Sequence, residues 1–380
     1  MAPDHRFSRV RLVPDGARRS VLGRRSRTRI AHLRRARQVH PNPVRRGLHA
    51  RHQSRTGERT MARMIPDDID WEAYARDEDD GRADVRPASE CLDAVIQMFH
   101  GEEEQSIGMP TPWSKVGDRL KFRPGEVTLW AGVNGHGKSG ALGYVMLHGM
   151  AAGARSCIAS FEMAPRQIMH RMCRQAAGGA VPTIDAISKF HRWTDDRLWL
   201  YAQNGKATPD RMIAVSRYCR KELNVDHMVI DSLMKCGLAP DDYTGQKNFV
   251  DSLCVLARDT GLHIHLVHHV RKGEKESAVP DKFDIKGAGE ITDLVDNVLI
   301  VYRNKRKESQ VEAESDAEKL AELEKVPDAF IDCGKQRHFS WEGRISLWFD
   351  RDSQQLLEHP RSGRQYLDYA SGMFKQGWAR

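Results

Sequence analysis

Apolar residues recur along this chain with two periods. Leu92, Val95, Ile96 and Phe99 fall at i, i+3, i+4 and i+7, the spacing of an amphipathic helix, and Ser89 is placed to cap its start. From residue 125 the pattern changes to short apolar runs separated by longer helical stretches. Strands are expected at 126–131, 156–161, 198–201, 227–230, 263–267 and 297–302. Helices are expected at 139–152, 166–176, 209–223 and 246–260, with a helical turn at 290–294. Strands that alternate with helices this way build a mostly parallel sheet covered on both faces, an α/β fold. Near the end the pattern switches again: 329–333 and 344–349 flank a turn, as in an antiparallel hairpin. Between sheet and hairpin, 306–325 is rich in Glu, Lys and Ala and reads as a solvated helical insertion.

Composition narrows the class. The chain has 380 residues, 40% of them hydrophobic, enough for one large core or two modest ones. No run of eighteen apolar residues occurs, which argues against a membrane span, and no apolar segment follows the basic start as a secretory signal requires. The cysteines at 91, 157, 173, 219, 236, 254 and 333 form no CxxC pair, so zinc ribbons and disulfide scaffolds are disfavoured and a reducing compartment is expected.

Charge is unevenly distributed. Residues 1–60 hold 17 Arg, no Lys and 3 acidic residues, a surplus of +14, so that 61–380 carry −6 of the net +8. Three readings of this start stand side by side. It is a nucleic-acid-binding arm, an organelle transit peptide, or sequence outside the native coding region, with synthesis beginning at Met61 or Met64. All three predict an unpacked segment. The expected organisation is 1–64 basic and disordered, 65–106 an acidic linker with the Leu92–Phe99 helix, 107–358 the main domain, and 359–380 a tail.

The chemistry concentrates in 132–139, Gly132-Val133-Asn134-Gly135-His136-Gly137-Lys138-Ser139, which fits GxxxxGK(S/T) between a strand and a helix. Glycines let successive backbone N–H groups turn toward phosphate oxygens, and the following helix presents its positive end to the same anion. Gly132, Asn134, Gly135, His136, Gly137, Lys138, Ser139 and Gly140 are therefore the expected ATP-binding residues. Lys138 reaches the β- and γ-phosphates and Ser139 holds Mg²⁺. A second motif is the apolar strand ending in Asp231, a metal-holding acid at a strand tip. Glu162 follows a strand and would stand at the carboxyl edge of the sheet, able to polarise an attacking water; a helix-capping role fits the sequence equally.

Taken in order, these segments resemble the hexameric replicative helicases with RecA-like motor domains, DnaB-like proteins and the motor half of phage primase-helicases, over about residues 107–352. The approach segment Ile107-Gly108-Met109-Pro110-Thr111-Pro112-Trp113, Phe161-Glu162-Met163, Leu266-Val267-His268-His269, Asp284-Ile285-Lys286-Gly287-Ala288-Gly289 and Gly334-Lys335-Gln336-Arg337 carry the resemblance. It implies a RecA-like P-loop NTPase fold. It also implies Glu162 as catalytic glutamate, Asp231 as metal acid, His269 as γ-phosphate sensor, and Arg337 as an arginine finger lent to a neighbouring subunit, with Lys335 as its companion.

The implied activity is ATP-dependent unwinding of single-stranded or forked DNA by a ring, hexameric in the family, in the cytoplasm of a bacterial or phage-infected cell. A separate primase or loader is an expected partner, since the chain reads as a motor with only a linker helix. DNA would be gripped by basic loops, with Lys235, Lys247, Arg271, Lys272 and Lys286 as candidates. Solvated surface charge remains the alternative for each of these lysines and arginines. Two other functions fit the same motifs: a RecA-like recombinase or mediator forming filaments, and an ATP-switched DNA loader that does not unwind.

Overall fold

The computed structural model describes residues 69–75, 87–100, 107–202, 207–270, 284–285, 288–339 and 341–377. The Arg-rich start lies outside them, as do Arg271, Lys272 and Lys286. The helices are α1 (Trp71–Ala75), α2 (Leu92–His100), α3 (Lys138–Ala151), α4 (Pro165–Ala177), α5 (Ile184–Thr194), α6 (Pro209–Leu223), α7 (Tyr243–Thr260), α8 (Ala288–Leu294), α9 (Lys305–Ala313) and α10 (Ala317–Lys325). The strands are β1 (Met109–Pro110), β2 (Lys121–Phe122), β3 (Val127–Ala131), β4 (Ser156–Ser160), β5 (Leu198–Tyr201), β6 (His227–Asp231), β7 (His263–Val267), β8 (Asn297–Arg303), β9 (Ala329–Gln336), β10 (Gly343–Phe349), β11 (Leu356–Leu357), β12 (Gln365–Asp368) and β13 (Met373–Gln376).

Nine strands make one sheet in the order β11-β10-β9-β8-β3-β7-β6-β4-β5. The pairs from β8 to β5 are parallel, while β9, β10 and β11 add antiparallel to one edge. The expected α/β P-loop NTPase-like architecture is therefore present, with the hairpin of 329–333 and 344–349 extended into β9 and β10. A second, smaller antiparallel hairpin, β12-β13, follows it.

Strands β3, β6 and β7 are buried at every position, which is why they read as unbroken apolar runs rather than alternating ones. Successive side chains still divide between two cores. Leu129, Ala131, Met228, Ile230, Ile264 and Leu266 face α6 and α7, and Trp71 of α1 joins them. Trp130, Ile158, Val229, Val267 and Leu299 face α3 and α4. Helix α3 is buried over most of its surface because it lies between the sheet and α4.

Three elements escape the sequence reading. Helix α5 is capped by Thr183, whose hydroxyl accepts from Ala186 N, and buries Phe190 and Trp193. Helix α1 is held by ring contacts, with Trp71 and Tyr74 edge-on to Tyr218 and the Arg211 guanidinium 3.8 Å from the Trp71 ring centre. The β12-β13 hairpin packs over α3: Phe374 stacks on His148 at 3.9 Å, and Tyr144 donates to Gln365 Oε1. The insertion after β8 forms α9 and α10, as expected. Lys307, buried, ties α9 down through Asp328 at 2.6 Å and the carbonyl of Val326.

Candidate nucleotide site

The site forms at the carboxyl ends of the parallel strands, where an open α/β sheet offers a crevice. The phosphate loop follows β3, Glu162 stands two residues beyond β4, Asp231 ends β6, and His269 stands two residues beyond β7. Register brings these ends level: Ser160 pairs with Asp231, Ile230 with Leu266, and Trp130 with Val267.

The loop needs its glycines. Gly137 caps α3 with φ 88°, a left-handed value. A Cβ on Gly132, at φ 156°, would stand 2.4 Å from the Val301 carbonyl oxygen, so the loop passes too close to β8 for any side chain. Lys138 folds back and donates to the carbonyls of Gly132 at 2.8 Å and Val133 at 3.1 Å. Burial lowers its pKa, with Asp231 and Glu162 opposing the shift.

Ser139 Oγ donates to Asp231 Oδ2 at 2.5 Å. Burial raises the Asp231 carboxyl pKa above its ordinary range, offset in part by that bond. A buried carboxylate and a hydroxyl in direct contact, both on the cavity wall, fit a Mg²⁺ site completed by phosphate oxygens and water. Glu162 Oε1 accepts from Ser232 Oγ at 3.1 Å and lies 3.4 Å from His269 Nε2. The bond with His269 is the chief cause holding the Glu162 carboxyl pKa below its ordinary range. His269 Nδ1 lies 3.5 Å from Lys138 Nζ, so one imidazole bridges Glu162 and the loop lysine. Its neighbour His268 is buried.

These groups open on a cavity of about 520 Å³, the size of a nucleotide pocket. Asn134, Gly135, His136, Gly137, Lys138, Ser139 and Gly140 line one end of it. The other end is apolar, with Val301, Ala329, Ile331, Phe349 and Leu356. Arg171 of α4 also reaches the cavity, and burial lowers its pKa. The sequence carried a signal for Arg171: a charged residue on a helix stretch whose neighbours Ile168 and Met172 point inward. Ser232, Arg303, Glu308 and Gln354 had none.

Lys335 and Arg337 lie elsewhere. Gln336 pairs with Asn297 at the start of β8, whereas the phosphate loop meets the end of β8, where Arg303 N donates to His136 Nδ1. The pair therefore occupies the opposite end of the sheet from its own chain's loop, roughly 20 Å along the strand. There Lys335 Nζ donates to the carbonyls of Thr292, Asp293 and Val295 at the C-terminal end of α8, and Arg337 pairs with Asp296 at 3.3 Å. Burial lowers the Lys335 pKa. Lys235 is exposed on a short turn after β6, and Lys247 pairs with Glu290 at 3.1 Å.

A family model described as an AAA domain matches residues 96–275. Two solved structures are similar in fold. One is a DnaB-like replicative helicase solved for its interactions with primase: 15% identity, 72% of this chain and 67% of that chain, TM-score 0.56. The other is an ATPase domain solved on its own: 16% identity, 72% of this chain and 99% of that one, TM-score 0.60. The chain thus contains a P-loop nucleotide-binding domain remotely similar in structure to these ATPase domains, at low sequence identity. No described helix is long and apolar enough to cross a membrane.

Proposed function

We propose that this chain is an ATP-driven DNA helicase motor that assembles as a hexameric ring and translocates on single-stranded DNA. The observation that carries this reading is the separation, within one chain, of the phosphate cradle from the Lys335–Arg337 pair. A finger at the far end of its own sheet can serve only another copy's cradle, and a closed series of such head-to-tail contacts is a ring.

Within the cradle the roles follow from position. Backbone N–H groups of 134–139 and Lys138 hold the triphosphate, and Ser139 and Asp231 hold Mg²⁺. The bound ion neutralises charge on the phosphate oxygens. Glu162, ionised and oriented by Ser232 and His269, accepts a proton from the attacking water. His269 touches both Glu162 and Lys138, a place from which it senses the γ-phosphate. Arg337 of the neighbouring copy neutralises the transferring phosphoryl group, an effect on the order of 10³–10⁵ in rate where such fingers act. Lys335 steers it.

The remaining segments take their parts from this assembly. Residues 65–106 link and dock, with α2 as the docking helix, 107–358 form the motor, and 359–380 close its C-terminal side. Lys235 and Lys247, with Arg271, Lys272 and Lys286, track the DNA backbone. The protein works in the cytoplasm of a bacterial or phage-infected cell, beside a primase or loader.

A forked DNA duplex incubated with the full chain, with and without ATP, tests the reading. ATP-dependent strand displacement is expected, with closed rings in electron micrographs. ATP hydrolysis without displacement would point to a loader, and open filaments to a recombinase.

A further inference from the structure

The insertion after β8 has a polar group in the nucleotide cavity that phosphate chemistry does not use. Arg303, the last residue of β8, and Glu308, on the first turn of α9, both line the cavity. They pair at 2.5 Å, Arg303 Nε to Glu308 Oε1. The pair is built in: Asn304 caps α9 by accepting from Lys307 N, Lys307 is locked to Asp328 and Val326, and Arg303 N is bonded to His136 of the phosphate loop. Asp328, the other acid on this wall, is spent, with Oδ1 on Lys307 and Oδ2 accepting from Phe349 N. Among the described residues, Glu308 Oε2 and the terminal nitrogens of Arg303 have no partner. They face the apolar wall of Val301, Ala329, Ile331 and Leu356, away from Lys138 and Asp231, where the flat, apolar part of a nucleotide belongs.

We infer that Glu308 and Arg303 read the base edge and make the site selective for adenine. This rests on the nucleotide-site reading above. The choice of base follows from counting donors. Glu308 has one oxygen occupied by Arg303 and one left, which matches the single exocyclic amino group of adenine. Guanine presents two donors on its Watson–Crick edge and would need both carboxylate oxygens. Arg303 supplies donors for the ring nitrogens beside the amino group. The insertion, by carrying Glu308 on its first turn, sets nucleotide preference.

The test measures equilibrium binding to the full chain, with Mg²⁺, of four probes: the β,γ-imidotriphosphates of adenosine, guanosine and purine riboside, and inorganic tripolyphosphate. Purine riboside lacks only the 6-amino group. The wild type is expected to bind the adenosine probe roughly tenfold or more tighter than the guanosine and purine-riboside probes, the range for a hydrogen bond to a charged group. Glu308→Ala is expected to bring the three nucleosides within about twofold of one another and leave tripolyphosphate affinity unchanged. Equal wild-type affinity for the adenosine and purine-riboside probes overturns the proposal, and needs no variant to fold. So does a Glu308→Ala chain that loses affinity for all four probes alike, since that is the mark of a merely structural ion pair. If wild type binds neither tripolyphosphate nor any nucleotide, the nucleotide-site reading itself falls and takes this inference with it.

Discussion

His269 Nε2 lies 3.4 Å from Glu162 Oε1 at the carboxyl edge of the sheet. That contact is the chief reason the Glu162 carboxyl stays ionised at lower pH than an ordinary glutamate. Removing the imidazole raises the Glu162 pKa, and the acid limb of the ATPase pH profile should move to higher pH. His269→Ala is expected to lower kcat by about 10- to 100-fold while nucleotide affinity changes little. A profile of kcat against pH for both proteins checks this; an unmoved acid limb would mean that His269 does not tune Glu162.

Gly132 tolerates no side chain, because a Cβ there meets the Val301 carbonyl oxygen at 2.4 Å and φ is 156°. Gly132→Ala should therefore displace the loop from β8, cost more than about 2 kcal/mol of stability, and abolish tripolyphosphate binding. Denaturant unfolding and calorimetry measure the two effects. A stable variant with wild-type phosphate affinity would show that the loop is not fixed by this approach.

Acid should unfold the protein through its core. Burial pushes His148 and His227 down to about 3 from the ordinary 6.5. Both are neutral when folded, so below pH 6.5 the unfolded chain binds protons that the folded one refuses, and stability falls with pH until about 3. Each contributes a loss of about 1.4 kcal/mol per pH unit, or about 4 kcal/mol for the two between pH 6.5 and 5. His263 and His265, also depressed by burial, add to the same trend. Urea unfolding at pH 7, 6 and 5 gives the slope, and His148→Gln should make it shallower by about one proton's worth. A flat profile from pH 7 to 5 contradicts this.

Helix α2 leaves Leu92 61% and Phe99 72% exposed in the single chain, an apolar face awaiting cover. If a neighbouring copy covers it, Leu92→Asp with Phe99→Asp should dissociate the assembly to monomers and lower ATPase activity by about 10-fold or more, with thermal stability of the monomer unchanged. Sedimentation velocity reads the first effect directly. Intact oligomers from the double variant would assign the docking role elsewhere.

The sequence told more about the sheet than about what surrounds it. Strands such as His263–Val267 are legible because an apolar run bounded by turns has few other uses, even with two histidines in it. What it hides is that those histidines are buried beside Trp130 and Thr128, since their partners come from another strand. The phosphate loop and Asp231 are legible because their chemistry is local in sequence. Arg303 and Glu308 are not, because a charged pair matters only once β8 and α9 set it beside the loop. The short polar strands 365–368 and 373–376 also carry no local signal; their order comes from contacts such as that of Phe374 with His148. Helix α5, by contrast, was readable from Thr183, Ala186, Phe190 and Trp193.

The central claim is that each ATP site is shared by two copies, one contributing Lys138 and the other Arg337. Mixing two inactive variants tests it most directly. Lys138→Ala and Arg337→Ala, each inactive alone, should regain ATPase activity when reassembled together, because an Arg337→Ala copy still offers an intact cradle and a Lys138→Ala copy an intact finger. Random assortment predicts roughly a quarter of the interfaces restored. A mixture as inactive as its parents, or an Arg337→Ala chain that hydrolyses ATP at the wild-type rate, would contradict the shared site.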